Sequence, residues 1–182
     1  MRVDNRGMSL VEIIIVVSII TVMTALIAFG VGAALSKPAD ECAEKMISTF
    51  NFGRVTTMGK QSCKIELYQS SIDSPVYMKQ IVVSGGASPV TTEKENQIAP
   101  KRVYVEYKLA SGTTYADLTS VSKIVFEFDR STGGFKKALI YPKDGSAAHE
   151  EYISSIKISK GARISYLKLE YLTGKVRSVS TP

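Results

Sequence analysis

The feature that most constrains this chain is an unbroken apolar run near its N-terminus. No charged side chain occurs from Ile13 to Leu35. A helix over this run, rising about 1.5 Å per residue, is long enough to cross a hydrocarbon core of about 30 Å. A short polar segment with the cations Arg2 and Arg6 precedes the run, and one carboxylate, Glu12, lies at its edge. Burying a carboxylate there is costly unless a positive group pairs with it.

The residues at this edge form a motif. Gly7-Met8-Ser9-Leu10-Val11-Glu12 resembles the processing site of bacterial type IV pilins and of the pseudopilins of type II secretion. The resemblance implies that a prepilin peptidase cuts after Gly7, on the cytoplasmic side, and methylates the new amine of Met8. Glu12 then becomes the fifth residue of the mature chain, where the family carries a glutamate. Met8 departs from the phenylalanine that is commonest in the family at the first mature position.

The resemblance also implies how such a chain assembles. The new amine of one subunit approaches Glu12 of a neighbour, so that each charge neutralises the other among packed apolar helices. At an effective dielectric of 20 this interaction contributes about 4 kcal/mol before desolvation is subtracted. The implied partners are other pilin or pseudopilin subunits, the prepilin peptidase and a membrane assembly platform. The implied location is a single-pass cell membrane helix before assembly and an extracytoplasmic filament afterwards.

Two other interpretations of the N-terminus stay open. Arg2 and Arg6 with the apolar run also fit a secretory signal peptide cleaved after Ala34, which would release a secreted β-domain. However, a signal peptide's apolar region is typically about 7–15 residues, and this run is longer and begins at a glutamate. The same residues also fit an uncleaved signal-anchor helix with its N-terminus in the cytoplasm.

The remainder of the chain has the composition and pattern of a β-protein. Beyond residue 37 it is rich in Ser, Thr, Tyr, Val and Ile, and it contains no tryptophan. Cys42, Met46 and Phe50 recur at helical spacing, which predicts an amphipathic continuation of the helix. After Ser62 the period changes to two, and strands separated by turns follow with no helix between them. The polar segment 87–100 is predicted to be a surface loop.

The predicted fold class is therefore α+β and pilin-like. One long N-terminal helix, apolar in its first half and amphipathic in its second, packs on a body of two antiparallel sheets. The predicted organisation is a leader at 1–7, a helix at 8–61 and an extracytoplasmic β-domain at 62–182. Within the helix, 10–35 form the transmembrane and filament-core part and 39–60 the amphipathic part. Glycine turns at Gly133 and Gly174 between paired strands are similar to those of GspH/FimT-type minor pseudopilins.

Two further groups of residues carry predictions. Cys42 and Cys63 would form a disulfide in an oxidising compartment, tying the helix to the first strand; the alternative is two separate buried thiols. The chain carries a formal charge of +6, and basic residues cluster late in it. Lys168, Lys175 and Arg177 are the candidate contacts to nucleic acid, as in a DNA-binding minor pilin of a DNA-uptake pilus. The alternative is a solvated outer face.

The sequence offers little catalytic chemistry. His149 is the only histidine, and it lies beside two glutamates in a polar segment. Two widely spaced cysteines and one histidine do not form a zinc site. No phosphate-binding loop occurs, since Gly30 and Gly32 lie inside the apolar run, where small residues allow close packing. We therefore expect a structural subunit of a pilus or pseudopilus, with no enzymatic activity and no cofactor.

Overall fold

The computed structural model describes residues 10–59, 61–85 and 88–179. For residues 26–36 it describes the backbone alone. One helix, α1, spans Leu10–Met58 and contains Pro38. Eleven strands follow: β1 Ser62–Tyr68, β2 Val76–Val83, β3 Thr91–Ala99, β4 Tyr104–Leu109, β5 Tyr115–Asp117, β6 Val121–Glu127, β7 Ala138–Pro142, β8 His149–Glu151, β9 Ile153–Lys160, β10 Arg163–Glu170 and β11 Lys175–Val179.

The strands form two antiparallel sheets. Sheet A has the order β3-β2-β1-β6-β7-β8, and sheet B has the order β11-β10-β9-β4-β5. Neighbouring strands pair antiparallel throughout the described residues. Alternation of buried and exposed residues, as in β1 and β10, gives each sheet one inward and one outward face. The period of two predicts two antiparallel sheets, and the structure contains them.

The prediction of one long N-terminal helix packed on the sheets is wrong. Described side chains of α1 fall in two stretches, 10–25 and 37–58, which belong to different compact units, Met1–Leu35 and Ser36–Pro182. The core residues that α1 contributes all come from the second stretch, among the side chains described. The physical reason lies in the sequence: the second stretch has an apolar side and a polar side, whereas the first is apolar all round and has no single face to bury.

The predicted membrane anchor also needs correction. Among the residues that the structure describes, no helix is long and apolar enough to cross a membrane. This finding overturns the predicted transmembrane helix and the predicted single-pass membrane location.

The core of the second unit lies between the inward faces of the sheets and the second stretch of α1. Phe50 of α1 packs edge-on against Phe126 and Phe135, with ring centroids 4.9 and 5.5 Å apart. Gly53 follows one turn later, and a Cβ there would lie 2.7 Å from side-chain atoms of Ile65 and Phe128. The glycine therefore lets the helix approach sheet A closely. At the other end of this stretch, Asp40 accepts hydrogen bonds from Arg163 and Ser165 of β10.

The predicted surface loop at 87–100 is wrong, because most of it forms β3. This strand is the edge of sheet A and pairs only with β2 among the described strands. Its residues from Thr91 to Glu95 are exposed whichever way they point. An edge strand exposed on both faces needs no apolar alternation, so the pattern that identifies other strands is missing here.

Candidate functional site

The first stretch of α1 exposes apolar side chains on every side. Leu10 is 77% exposed, and the large apolar side chains that follow are each about half exposed or more. These side chains are Val11, Ile13, Ile14, Ile15, Val16, Val17, Ile19, Ile20, Val22 and Met23. A helix that is apolar all round is typical of one buried inside a larger assembly. We call this the apolar stretch, residues 10–25.

The polar side chains within the apolar stretch are satisfied by the helix itself. Ser18, Thr21 and Thr24 donate to the carbonyl oxygens four residues earlier, at distances of 2.7, 2.7 and 2.6 Å. A hydroxyl bonded in this way can enter an apolar environment without losing a hydrogen bond. Burial of the stretch would therefore leave none of these three hydroxyl donors without a hydrogen-bond partner.

Glu12 lies in the first turn of α1, where it is exposed. The N–H groups of a helix N-terminus carry partial positive charge, which favours a carboxylate in this turn. Ile15 and Val16 follow it by three and four residues, so they lie beside it on the helix. The predicted cleavage site, Gly7 and Met8, lies outside the residues that the structure describes.

The predicted disulfide pair is present as two buried free thiols. Cys42 lies on the inward side of α1 and Cys63 at the start of β1, and both belong to the core. Burial raises the pKa of Cys42 to about 12 and that of Cys63 to about 11. The thiols are therefore protonated at neutral pH and behave as small apolar core residues.

The three predicted nucleic-acid contacts share the outward face of sheet B. Lys168 of β10 lies directly opposite Arg177 of β11, and Lys175 lies opposite Glu170 two positions along. Residues between them, such as Leu167, Leu169 and Val176, point into the core. The structure therefore brings Lys168, Lys175 and Arg177 together on one exposed surface.

Further basic and aromatic side chains extend this surface across the sheet. The row through Arg177 and Lys168 continues over Ser155 to Lys108 and Tyr115. In the next row, Lys157 lies opposite Tyr166. The ammonium groups of Lys108 and Lys157 lie 5.9 and 5.8 Å from the centre of the Tyr115 ring. We call these seven residues, with Lys175, the sheet B surface.

Sequence reasoning missed Lys108 and Tyr115 as members of this surface, whereas Lys157 belongs to the late basic cluster. Lys108 and Tyr115 lie about forty to fifty residues before that cluster, and the pairing of β9 with β4 brings them to it. The alternation of β4 places Lys108 on the same face as Tyr104 and Glu106, which is the one signal that the sequence offers. It does not identify the partner strand.

Carboxylates neutralise part of the charge on the sheet B surface. Glu106 binds Lys157 at 2.6 Å, and Glu170 lies 3.3 Å from Arg177. The hydrogen bond and charge of Glu106 raise the pKa of Lys157, so this lysine stays protonated. The surface is a mixed one in which cations exceed carboxylates, with tyrosine rings between them.

His149, the only histidine, is the first residue of β8 and is exposed. Within the described part of the chain, no group of three or more histidine, cysteine, aspartate or glutamate side chains is arranged to hold a metal ion.

In comparisons with known proteins, no family model, no curated protein and no solved structure matches this chain. The assignment to the pilin and pseudopilin family therefore stays a prediction that depends on the N-terminal motif.

Proposed function

We propose that this chain is a filament subunit of the pilin or pseudopilin kind, cut between Gly7 and Met8 and assembled through the apolar stretch. The observation that carries the proposal is the exposed apolar surface of α1 over residues 10–25. Apolar surface of this extent is unfavourable in water and is relieved when copies pack together. The internally bonded hydroxyls of Ser18, Thr21 and Thr24 support burial of the stretch in a dry interface.

In the proposed assembly, Glu12 defines the register between copies. Cleavage before Met8 creates a positive amine four residues from Glu12 in the same chain, and packed subunits bring one chain's amine to another chain's carboxylate. A mismatched register would bury a charge among apolar side chains, which costs far more than the aligned pair contributes. The pairing therefore selects one axial offset, and the apolar side chains supply most of the association energy.

The N-terminus of the mature protein tests the processing step. We would co-express the full chain with a prepilin peptidase and determine the mature N-terminus by intact-mass and peptide mass spectrometry. The proposal expects a chain that begins at N-methylated Met8. A chain that begins at Leu35 would instead identify a signal peptide cleaved after Ala34, and an uncut chain in assembled filaments would contradict the proposal directly.

A charge-removal variant tests the assembly step. Glu12→Ala should be made and folded normally yet be absent from sheared filaments, because its neighbour's amine no longer finds a carboxylate. Glu41→Ala is the matched control, since Glu41 is another exposed carboxylate on α1 outside the apolar stretch. Incorporation of Glu12→Ala at the wild-type level would refute the pairing.

A second candidate function is binding of single-stranded nucleic acid on the sheet B surface. The observation that favours it is the cross-strand row of Arg177, Lys168 and Lys108, with Tyr115 at its end. Lysine and arginine bind phosphates, and tyrosine rings stack with bases, about 1–3 kcal/mol per base. The partial neutralisation by Glu106 and Glu170 predicts modest affinity.

Fluorescence anisotropy with a labelled oligothymidylate at several salt concentrations tests this candidate. Each phosphate that a variant no longer neutralises should make the slope of log K against log salt less steep by about 0.7. A Lys168→Gln, Arg177→Gln double variant should therefore bind more weakly and show a shallower slope. Lys64→Gln with Lys79→Gln, on β1 and β2 of sheet A, is the control. Absence of binding at low salt would rule the candidate out.

A further inference from the structure

Polar side chains occupy inward positions of sheet A where core residues are expected. On β2 and β3, Gln80 lies opposite Lys94, and Asn96 lies opposite the buried Met78. One step further along β3, Ile98 is buried as a core residue should be. The inward face of the sheet therefore changes from apolar to polar as it approaches its β3 edge. Such a local break in the core pattern is a frequent sign of a binding site.

The helix presents a matching polar row above this part of the sheet. Lys45, Ser48, Thr49 and Phe52 recur at positions i, i+3, i+4 and i+7, so they lie along one side of α1. Together with the strand residues they line an open cleft of about 470 Å³. Phe52 is 47% exposed although it is the largest apolar side chain in the lining. The cleft thus combines an accessible aromatic ring with polar groups from two elements.

The cleft is cationic because the neighbouring acids are engaged elsewhere. Its lining contains the ammonium groups of Lys45 and Lys94 and no carboxylate. The acids of β3 alternate with Lys94 and point to the opposite face of the sheet. There Glu93 binds Lys79 at 2.6 Å, and Glu95 accepts a hydrogen bond from Tyr68. Two lysines therefore face the cleft without a nearby acid among its lining side chains.

The cleft also contains two carboxamides. Gln80 and Asn96, which share the face of Lys94, each offer an N–H donor and a carbonyl acceptor. Ligands that are rich in hydroxyl groups need both donors and acceptors at close spacing, which carboxamides provide. The exposed ring of Phe52 can pack against the C–H face of a sugar ring, and the ammonium groups can bind carboxylate or sulfate.

From this combination we propose that the cleft binds an acidic oligosaccharide, with Phe52 packing on one sugar ring and Lys45 and Lys94 holding the acidic groups. Its volume lies within the range of about 300–1,000 Å³ found for small-ligand sites. A neutral sugar would leave both ammonium groups without an anion. An isolated phosphate or carboxylate would leave the carboxamides and the ring unused.

Titration calorimetry with the full chain tests this inference. The protein should be held in a polyoxyethylene detergent, because sugar-based detergents would compete. The probes are trigalacturonate, a hyaluronan tetrasaccharide and a heparin tetrasaccharide, with methyl-esterified trigalacturonate as the uncharged match for the first. We expect saturable binding of at least one acidic probe and at least tenfold weaker binding of the uncharged match.

Substitutions of residues that line the cleft test whether the saccharide binds there. Lys45→Gln and Lys94→Gln should each weaken it about tenfold, as expected when one charge-assisted hydrogen bond is removed. Phe52→Ala should weaken binding while leaving the charge unchanged. Lys79→Gln is the control, because it removes a lysine from the opposite face of the same sheet. Circular dichroism establishes that each variant remains folded.

Several results would overturn the inference. One is failure of all three acidic probes to bind, and another is equal binding of the methyl ester. Binding that Lys45→Gln and Lys94→Gln leave unchanged would place the ligand elsewhere. A short oligonucleotide or an acidic peptide that binds more tightly than the saccharides, and that Lys94→Gln and Phe52→Ala weaken, would reassign the cleft to that class of ligand.

Discussion

Gly174 and Gly133 bring loops from the two sheets into backbone contact. Gly174 lies between β10 and β11 with φ 64°, and Gly133 lies between β6 and β7 with φ 70°. A Cβ on Gly174 would overlap the carbonyl oxygen of Gly133. Gly174 is thus required both for its left-handed conformation and for the space that it leaves.

Gly174→Ala should therefore be strongly destabilising, by roughly 2–4 kcal/mol, because the two loops must move apart. Chemical denaturation followed by circular dichroism measures the change. Gly161→Ala is the matched control: Gly161 has φ 59°, and nothing lies within 4 Å of a Cβ placed there. It should cost only about 1–2 kcal/mol, the penalty of the left-handed conformation. Equal effects of the two substitutions would contradict the packing argument.

The ionisation of Asp40 makes the free energy of unfolding depend on pH. The hydrogen bond from Ser165 at 2.6 Å, followed by that from Arg163, holds the pKa of Asp40 below its usual 3.8. Because the folded pKa is the lower one, ionised Asp40 stabilises the fold above about pH 4, and this contribution is lost as pH falls through the folded pKa. Asp40→Asn should lower the free energy of unfolding at pH 7.

The difference in free energy of unfolding between wild type and Asp40→Asn should begin to narrow below about pH 4, where the unfolded wild-type chain takes up a proton, and should close as pH falls through the lower folded pKa. Denaturant unfolding at pH 7, 4 and 3 measures it. Glu41→Gln, which removes the adjacent exposed carboxylate, should change stability by no more than about 0.5 kcal/mol at pH 7. A difference for Asp40→Asn that stays constant with pH would refute the assignment.

The second stretch of α1 is held to the sheets by its inward row of side chains. Phe50 is fully buried against Phe126 and Phe135, whereas Phe52, two positions along, is about half exposed. Phe50→Ala should lower the free energy of unfolding by about 3–5 kcal/mol, since it leaves a cavity between helix and sheet. Phe52→Ala should cost about 0.5 kcal/mol or less. Comparable destabilisation by both would show that this row does not anchor the helix.

The division into two units predicts that residues 36–182 fold without the N-terminal segment. The unit Ser36–Pro182 contains the described hydrophobic core, including the part of α1 that packs on the sheets. A 36–182 fragment should unfold cooperatively within about 5 °C of the full chain's midpoint in thermal scans. It should also elute as a monomer without detergent, because the apolar stretch is gone. Loss of cooperative unfolding would mean that the first unit contributes to the core.

Much of the β-body can be predicted from the sequence, because strands with one exposed and one buried face alternate polar and apolar residues. The runs that form β1 and β10 alternate clearly, and the glycine before Lys175 indicates the turn there. The strand β3 is predicted from the sequence to be a loop because both of its faces are exposed near the edge of the sheet, so its residues do not alternate between apolar and polar. The strands β5 and β8 have only three residues each, too few to establish a period.

The prediction for the helix fails at residues 10–25. Their side chains are apolar on every side, so no one face is marked for packing on a sheet, whereas residues 37–58 have one apolar side and contribute to the core. Half of the sheet B surface is predictable, because four of its eight residues belong to the late basic cluster: Lys157, Lys168, Lys175 and Arg177. Lys108 joins them only through strand pairing. The cleft beside β3 depends on where helix and sheet meet, so no local pattern indicates it.

The edges of the sheets have a consequence for how copies of this protein can meet. β5 and β8 expose only three residues each, while β3 displays Glu93, Lys94 and Glu95 in succession. Edge strands that are short or charged make it unfavourable for another chain to add a strand to the sheet. In the proposed assembly, copies packed side by side would therefore not join through β3, β5 or β8, and contact between them would be left to the apolar stretch.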